Sequence, residues 1–600
     1  MSADDPRDDG PADHSVSGEV NRRTFLRLGA LAGASASMTG LLGAGAAQAA
    51  EPAAAEVSGV STGVEEMTIA QLQAAMSSGK LSALELVNLY TQRIDLLDHR
   101  GPKVNSVVEV NPDARSIART LDNERRGGHV RGPLHGIPIV MKENIDTGDR
   151  MQTTAGSLAL LGHPAPHDAT VAARLRAAGA IILGKTNLSE WANFRSFQSS
   201  SGWSGRGGQT NNPYFIDRNT SGSSSGTGAA VTSSFAAAGL ATETDGSVVS
   251  PASLNGVVGI KPTVGLTSRA GVIPISHSQD TVGVHGRTVA DAAAVLGALV
   301  GVDPRDPATA GSAGKFFTDY TQFLSPNGLS GARIGIYRGG GVTGYSPEAD
   351  AIFEDAIQMM KDAGAVVVDP ADPPSANDIA TDPSELTVLV YEFKQDIAAY
   401  LATRTGLSMH TLADLIAFNN AHVEQEMKWF GQELFLLCDA DPFTAQDYTD
   451  ALARSHSLSR DQGIDAALAA NNLDALVAPT ASPAWPTDLI NGDHFLGASS
   501  SACAMAGYPI VQITAGNSFG LPVGISFMGT AYSEPKLIKI ASGFEHVSQA
   551  RIVPKYKRAF SNGLVGRAAA RGASDPTSAR LAELLDRLTR NSRVARLFNL

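Results

Sequence analysis

The chain has 600 residues, 43% of them apolar, which is ample to bury a large core. Its formal net charge of −13 argues against nucleic acid or an anionic membrane surface as a partner. The only cysteines, Cys438 and Cys503, are too few for a zinc finger or a disulfide framework, and they read as two separate buried side chains.

The first 20 residues are polar and acidic. Asn21-Arg22-Arg23-Thr24-Phe25-Leu26-Arg27 follows, then a Gly/Ala/Leu run to Ala46 and the small-x-small pattern Ala47-Gln48-Ala49. Pair, apolar run and cleavage pattern in this order resemble a twin-arginine export signal over residues 1–49, cut at or close to Ala49. The export machinery is thus an expected partner, and the mature protein is expected in the periplasm or outside the cell. The run is too short and Gly-rich for a membrane span and does not recur, so stable insertion is not expected.

Residues 50–64 read as a linker. Thr68-Ile-Ala-Gln71 and Ser82-Ala-Leu-Glu85 are capping boxes that start two helices, the second with Leu86, Tyr90, Ile94 and Leu97 on one face. Leu134 to Met141 is a short apolar run that predicts a strand, with Lys142-Glu143-Asn144 at its C-terminal end, where α/β folds place chemistry. A helix end at Arg174–Gly179 leads to a strand at Ala180–Leu183, then loop and helix from Gly184 to Phe194. Further on, strands are predicted at Arg333–Tyr337, Ala365–Val368, Asp474–Ala478 and Val523–Gly529. Ser346-Pro347 caps a helix ended by Gly364, and residues 384–470 are mostly helical. Residues 557–600 read as a Gly/Ala/Arg-rich linker and an amphipathic helix. With no repeat or internal linker over 65–556, the expectation is one large α/β domain with a mixed central sheet surrounded by helices.

The most unusual stretch is Thr220–Gly265: low in charge, dense in Ser and Gly, and too small-sided for an ordinary core. Small residues in runs let backbone approach other backbone or a ligand closely. It holds two serine clusters, Ser223-Ser224-Ser225 and Ser247 within Thr242-Glu-Thr-Asp-Gly-Ser247. The Ala-rich segment Ala229–Ala241 could carry the chain from one cluster back past the other. Hydrolysis needs a nucleophile, a base and an oxyanion site. Ser247 could be the first, and the backbone N–H groups of Thr244, Asp245, Gly246 and Ser247 the last. Lys142 could serve as base only if its pKa, ~10.4 when free, were pushed down. Glu143 would oppose that shift if it shared a face with Lys142, but neighbours along a strand point opposite ways.

Gly136-Ile-Pro-Ile-Val-Met-Lys-Glu-Asn-Ile-Asp146, the Gly-Ser-Ser-Ser-Gly of 222–226, and Thr242 to Gly265 together resemble the amidase signature family over about residues 65–555. Asn187-Leu-Ser-Glu-Trp-Ala-Asn-Phe194, the Thr242–Ser247 run and the region from Pro483 to Asp488 look most like its peptide amidase branch. The resemblance implies a Ser–cis-Ser–Lys triad, with Lys142 as base, Ser223 as bridging serine after a cis peptide bond, and Ser247 as nucleophile. It implies no cofactor and no metal, and a small-molecule or peptide amide as substrate. Two departures matter. Ser225 and Asp245 stand where many members carry Gly, and Val249 where many carry Arg. Without that Arg, a small free carboxylate is a poor fit as substrate.

Gly222-Ser-Ser-Ser-Gly226 also fits the nucleophile elbow of α/β-hydrolases, with Ser224 as nucleophile and His494 or His546 in reserve, but the preceding Phe215–Ser221 is too polar for the strand an elbow needs. An exported binding protein with serines lining a cleft is a further alternative. The glutaminase subunit of a tRNA-dependent amidotransferase conflicts with the export signal. His135, His277 and His285 lie among Gly and Pro without zinc-ligand spacing and read as loop residues or as supports behind a site, not as metal ligands. Asp280 reads as a loop-bracing carboxylate. Trp191, Trp203 and Trp485 fit a pocket wall or core packing equally well.

Overall fold

Thr68 and Ser82 each accept a hydrogen bond from the backbone three residues on, and Gln71 and Glu85 reach back to close both capping boxes. The helices Ile69–Ser77 and Ala83–Arg93 therefore start where the sequence places them, and Leu86, Tyr90, Ile94 and Leu97 are all buried. The structure, a computed structural model, describes residues 62–559. The export signal at 1–49, most of the linker that follows it and the C-terminal amphipathic helix lie outside the described residues.

The strands are β1 (Val107–Val110), β2 (Pro138–Lys142), β3 (Ile181–Thr186), β4 (Trp203–Ser204), β5 (Gly208–Gln209), β6 (Ala238–Glu243), β7 (Val258–Lys261), β8 (Thr281–Gly286), β9 (Arg333–Ile336), β10 (Val366–Val368), β11 (Ala475–Pro479), β12 (Ile510–Ser518) and β13 (Leu521–Met528). Apart from the short β4–β5 pair they form one 11-stranded sheet in the order β1-β3-β2-β6-β8-β7-β12-β13-β11-β9-β10. Pairing is parallel at β3-β2-β6 and at β11-β9-β10, and antiparallel elsewhere, so the sheet is mixed as expected. Helices cover it, and β2, β3, β6, β7, β8 and β13 are buried at every position. Such strands show no alternation, because neither face meets water.

The Ala229–Ala241 segment is two elements, not one. The helix Ser225–Thr232 ends at Ser233, Ser234 turns the chain in the left-handed region (φ 53), and β6 begins at Ala238. β6 lies parallel to β2, with Ile139 opposite Ala238 and Met141 opposite Leu240. Parallel neighbours in register end on the same side of the sheet. That register brings Lys142, at the end of β2, beside Thr242 and Glu243, at the end of β6. Cys438 and Cys503 are both buried and unlinked. Among the described residues no helix is long and apolar enough to cross a membrane.

Candidate active site

Lys142 is fully buried, with Nζ 2.7 Å from Ser223 Oγ, 2.8 Å from Thr242 Oγ1 and 3.3 Å from the Thr242 carbonyl. Burial pushes its pKa down to about 7, against the pull of the Asp280 and Glu243 carboxylates. Desolvation wins because a charged amine loses most of its hydration here and gains no touching counter-ion. Glu143 turns the other way, as strand alternation requires. It accepts from Thr154 Oγ1 at 2.7 Å and pairs with Arg206.

The peptide bond between Gly222 and Ser223 is cis. Ser223 is fully buried, whereas Ser247 is 8% exposed and lines a cavity of about 370 Å³. The two serine clusters are stitched together: the Ser224 N–H donates to the Ser247 carbonyl at 3.3 Å, and the Ser221 and Ser250 hydroxyls lie 2.7 Å apart. Thr244, Asp245, Gly246 and Ser247 all face the cavity. Their turn is held at both ends. Glu243 Oε2 accepts the N–H groups of Val248 and Val249 at 2.7 and 3.0 Å. Asp280 takes the Thr244 hydroxyl at 2.5 Å and the N–H groups of Ile275 and Ser276 at 2.8 and 3.0 Å, so it braces the loop as expected. Gly246 sits at φ +80, where a Cβ would be strained and would meet Ser500 Oγ at 3.0 Å.

Ser224 does not reach the cavity. Its side chain is fully buried and its hydroxyl donates to the Thr242 carbonyl at 3.1 Å. The residues before it form loop and bends rather than a strand, and His494 and His546 do not line the cavity, so the elbow geometry is missing. Trp191, Trp203 and Trp485 are also absent from the cavity wall. They pack edge-on against Phe435, Phe430 and Phe495 respectively. The apolar wall comes instead from Phe194, which closes the Asn187–Phe194 motif, and from Phe197, Ile275, Leu389, Ile490 and Phe495, which do not stand out in the sequence.

Two residues of the site, and one lysine outside it, carry weaker sequence signals. Thr242 and Glu243 lie inside the singled-out run, and their roles follow from β6 ending beside β2. Lys185, next to the end of β3, resembles Lys142 locally: it is fully buried and pushed down to about 8. Its amine, however, meets the Ile145 carbonyl at 2.6 Å and Thr153 Oγ1 at 2.8 Å, with no serine relay.

His135 lies in a turn, but His285 sits within β8 and not in a loop, since the sheet between β6 and β7 takes it up. His135 and His285 are buried and contact the carbonyls of Leu121 and Val248. His277 departs from the expectation of scattered histidines: with Glu392 and Asp396 it brings three possible ligand atoms within 4.8 Å of one another. Hydrogen bonds already occupy this cluster. Asp396 accepts from the His277 ring and N–H, and Glu392 accepts from Ser276, Ser278 and Tyr448. It fastens the 275–280 loop to the helix Ser384–Leu401.

Gly226 shows why the Ser-Gly run must be small. A Cβ there would lie 2.4 Å from the Ser106 carbonyl and 2.6 Å from that of Asn187, both backbone atoms that cannot yield. Gly226→Ala should cost about 1–3 kcal/mol, the usual range for overpacking. Urea unfolding would read this as a lower midpoint at unchanged slope, and an unchanged midpoint would show that the helix start can shift freely.

A family model described as Amidase matches residues 85–538. A probable amidase of Arabidopsis thaliana is 42% identical over 501 residues, covering 82% of this chain and 92% of its own length. A glutamyl-tRNA(Gln) amidotransferase subunit of Chloroflexus aurantiacus is 32% identical over 499 residues, covering 81% and 98%. The crystal structure of the native peptide amidase from Stenotrophomonas maltophilia superposes with a TM-score of 0.79 at 50% identity, covering 82% of this chain and 99% of that one.

Proposed function

The chain belongs to the amidase signature family of amide hydrolases, and we propose that within it this protein cleaves C-terminal amides of peptides or amino-acid amides through a Ser247 acyl-enzyme. The observation that carries the reading is the 2.7 Å contact between a buried, readily neutralised Lys142 and Ser223, beside a cavity lined by Ser247. A neutral amine has two N–H groups and one lone pair. With the N–H groups directed at the Thr242 hydroxyl and carbonyl, the lone pair is left for the Ser223 proton.

Ser247 Oγ attacks the carbonyl carbon and passes its proton to Ser223, whose own proton goes to Lys142. The backbone N–H groups of Thr244 to Ser247 hold the oxyanion. The relay runs back as the C–N bond breaks, protonating the nitrogen, which leaves as ammonia. Water then attacks the acyl-enzyme, losing a proton by the same route, and the carboxylic acid departs. The peptide-amide preference is supported by the likeness to the Stenotrophomonas enzyme, by a largely apolar wall, and by Val249 in place of a carboxylate-binding Arg. The Arg22-Arg23 signal supports an exported enzyme, to be checked by cell fractionation.

The test is the intact mass of the mature protein after fluorophosphonate treatment, followed by peptide mapping. One adduct, on Ser247, is the expected result. An adduct on Ser224, or no adduct together with no ammonia release from peptide amides, would overturn the reading.

A further inference from the structure

The cavity that Ser247 lines also holds three carboxylates, Asp245, Glu385 and Asp493, and among its described lining residues there is no Lys, Arg or His. The acids come from three separate segments: the turn before Ser247, the first turn of the helix Ser384–Leu401, and the loop near Phe495. Each is held in place. Asp245 accepts from the hydroxyls of Ser500 and Ser501 at 2.5 and 2.7 Å. Glu385 accepts from Gln279 Nε2 at 3.1 Å. Asp493 accepts from the Ser201 N–H at 2.9 Å, from Asn219 Nδ2 at 3.2 Å and from Trp485 Nε1 at 3.3 Å. The donors named here are uncharged, and the buried Lys261, which acts electrostatically on Asp245, stands outside the cavity lining.

A concave wall bearing one sign of charge, with apolar surface between, focuses its field on whatever enters. Burial pushes the Asp493 carboxyl up to about 6.

We propose that this cavity selects amides carrying a cationic group near the scissile carbonyl and rejects those carrying an anionic one. The selection rests on the amidase reading of the same site. The shared chemistry is an ammonium or guanidinium. It can come from the free α-ammonium of an amino-acid amide or from a Lys or Arg side chain beside the amide. Glu385, tied through Gln279 to the Thr244 carbonyl, is one specificity-determining residue, and Asp245, in the turn before Ser247, is the other. The same field repels the carboxylate product, which aids its release.

Binding tests the selection apart from turnover. Calorimetry on Ser247→Ala would compare acetyl-lysinamide, acetyl-norleucinamide and acetyl-glutamic amide, and separately phenylalaninamide with its acetylated form, all at one pH so that Lys142 protonation cancels. The lysine amide, the unblocked phenylalanine amide, or both should bind about tenfold more tightly than the neutral partner. The glutamic amide should bind about tenfold more weakly than norleucine, and each gap should narrow with salt. The pair that shows the gap identifies the source of the cation.

Glu385→Gln and Asp245→Asn are read as the cationic-to-neutral ratio within each variant, so a general loss of binding cancels. The ratio should fall in at least one of them. A ratio near one in the Ser247→Ala background, or a preference untouched by both substitutions, overturns the proposal. Failure of the intact protein to release ammonia from any amide would overturn the amidase reading and leave the binding ratios to decide this one.

Discussion

Alanine at position 247 should lower kcat for amide hydrolysis by roughly 10⁶-fold, the scale seen when a serine hydrolase loses its nucleophile. The loss should fall on kcat and leave ligand binding nearly intact. Ser247 contributes one small hydroxyl to a wall built mostly from other segments, and its backbone N–H survives the substitution. Steady-state ammonia release with calorimetry on a peptide amide separates the two effects. Retention of more than about 1% of the wild-type rate would exclude Ser247 as the attacking atom, since a nucleophile cannot be lost so cheaply.

Lys142→Met should cost about 10²–10⁴-fold on amides, the usual contribution of a positioned acid–base group. The matched ester should lose less. An alkoxide leaves with little protonation, whereas the amide nitrogen must receive a proton before the C–N bond breaks. Equal losses on an amide and ester sharing one acyl group would sink the proton-relay role.

The wild-type pH profile carries the same information. In the proposed mechanism Lys142 acts as the neutral amine, and the pKa lowered to about 7 puts that form in the majority above pH 7. Amide kcat/KM should therefore rise through neutrality and level off on the alkaline side. Asp280 and Glu243 pull the Lys142 pKa upward, so Asp280→Asn should move the inflection to lower pH. An inflection that stays in place would assign it to another group.

Much of this was legible in the sequence, for identifiable reasons. The two capping boxes are local codes, fully written in four residues each. Lys142 was visible because an apolar strand stops at a charged residue. The sheet strands β1, β6, β7, β8 and β12 were not read, nor was the short β4–β5 pair. β6 is Ala-Gly-Leu-Ala-Thr-Glu, buried on both faces, and its alanines favour helix by intrinsic propensity. Only pairing with β2 and β8 makes it a strand. Lys185 shows the converse limit: it lies next to the end of a buried strand much as Lys142 lies at one, and only the distant Ser223 tells the two apart. The rest of the cavity wall was illegible because it is assembled from residues near 197, 275, 389 and 490, no two of which share a motif.

The placement of the site has a consequence for how the chain acquires activity. Lys142 meets Ser223 across 81 residues, Asp245 meets Ser500 across 255, and Ser201 meets Asp493 across 292. Contacts of such separation form only after the entropy of closing large loops has been overcome. No short fragment of the chain contains a working subset, and a partly folded molecule would hold its serine and lysine apart. Hydrolytic activity is thus a late event in maturation, and the nascent chain is kept inert by the order in which its parts come together.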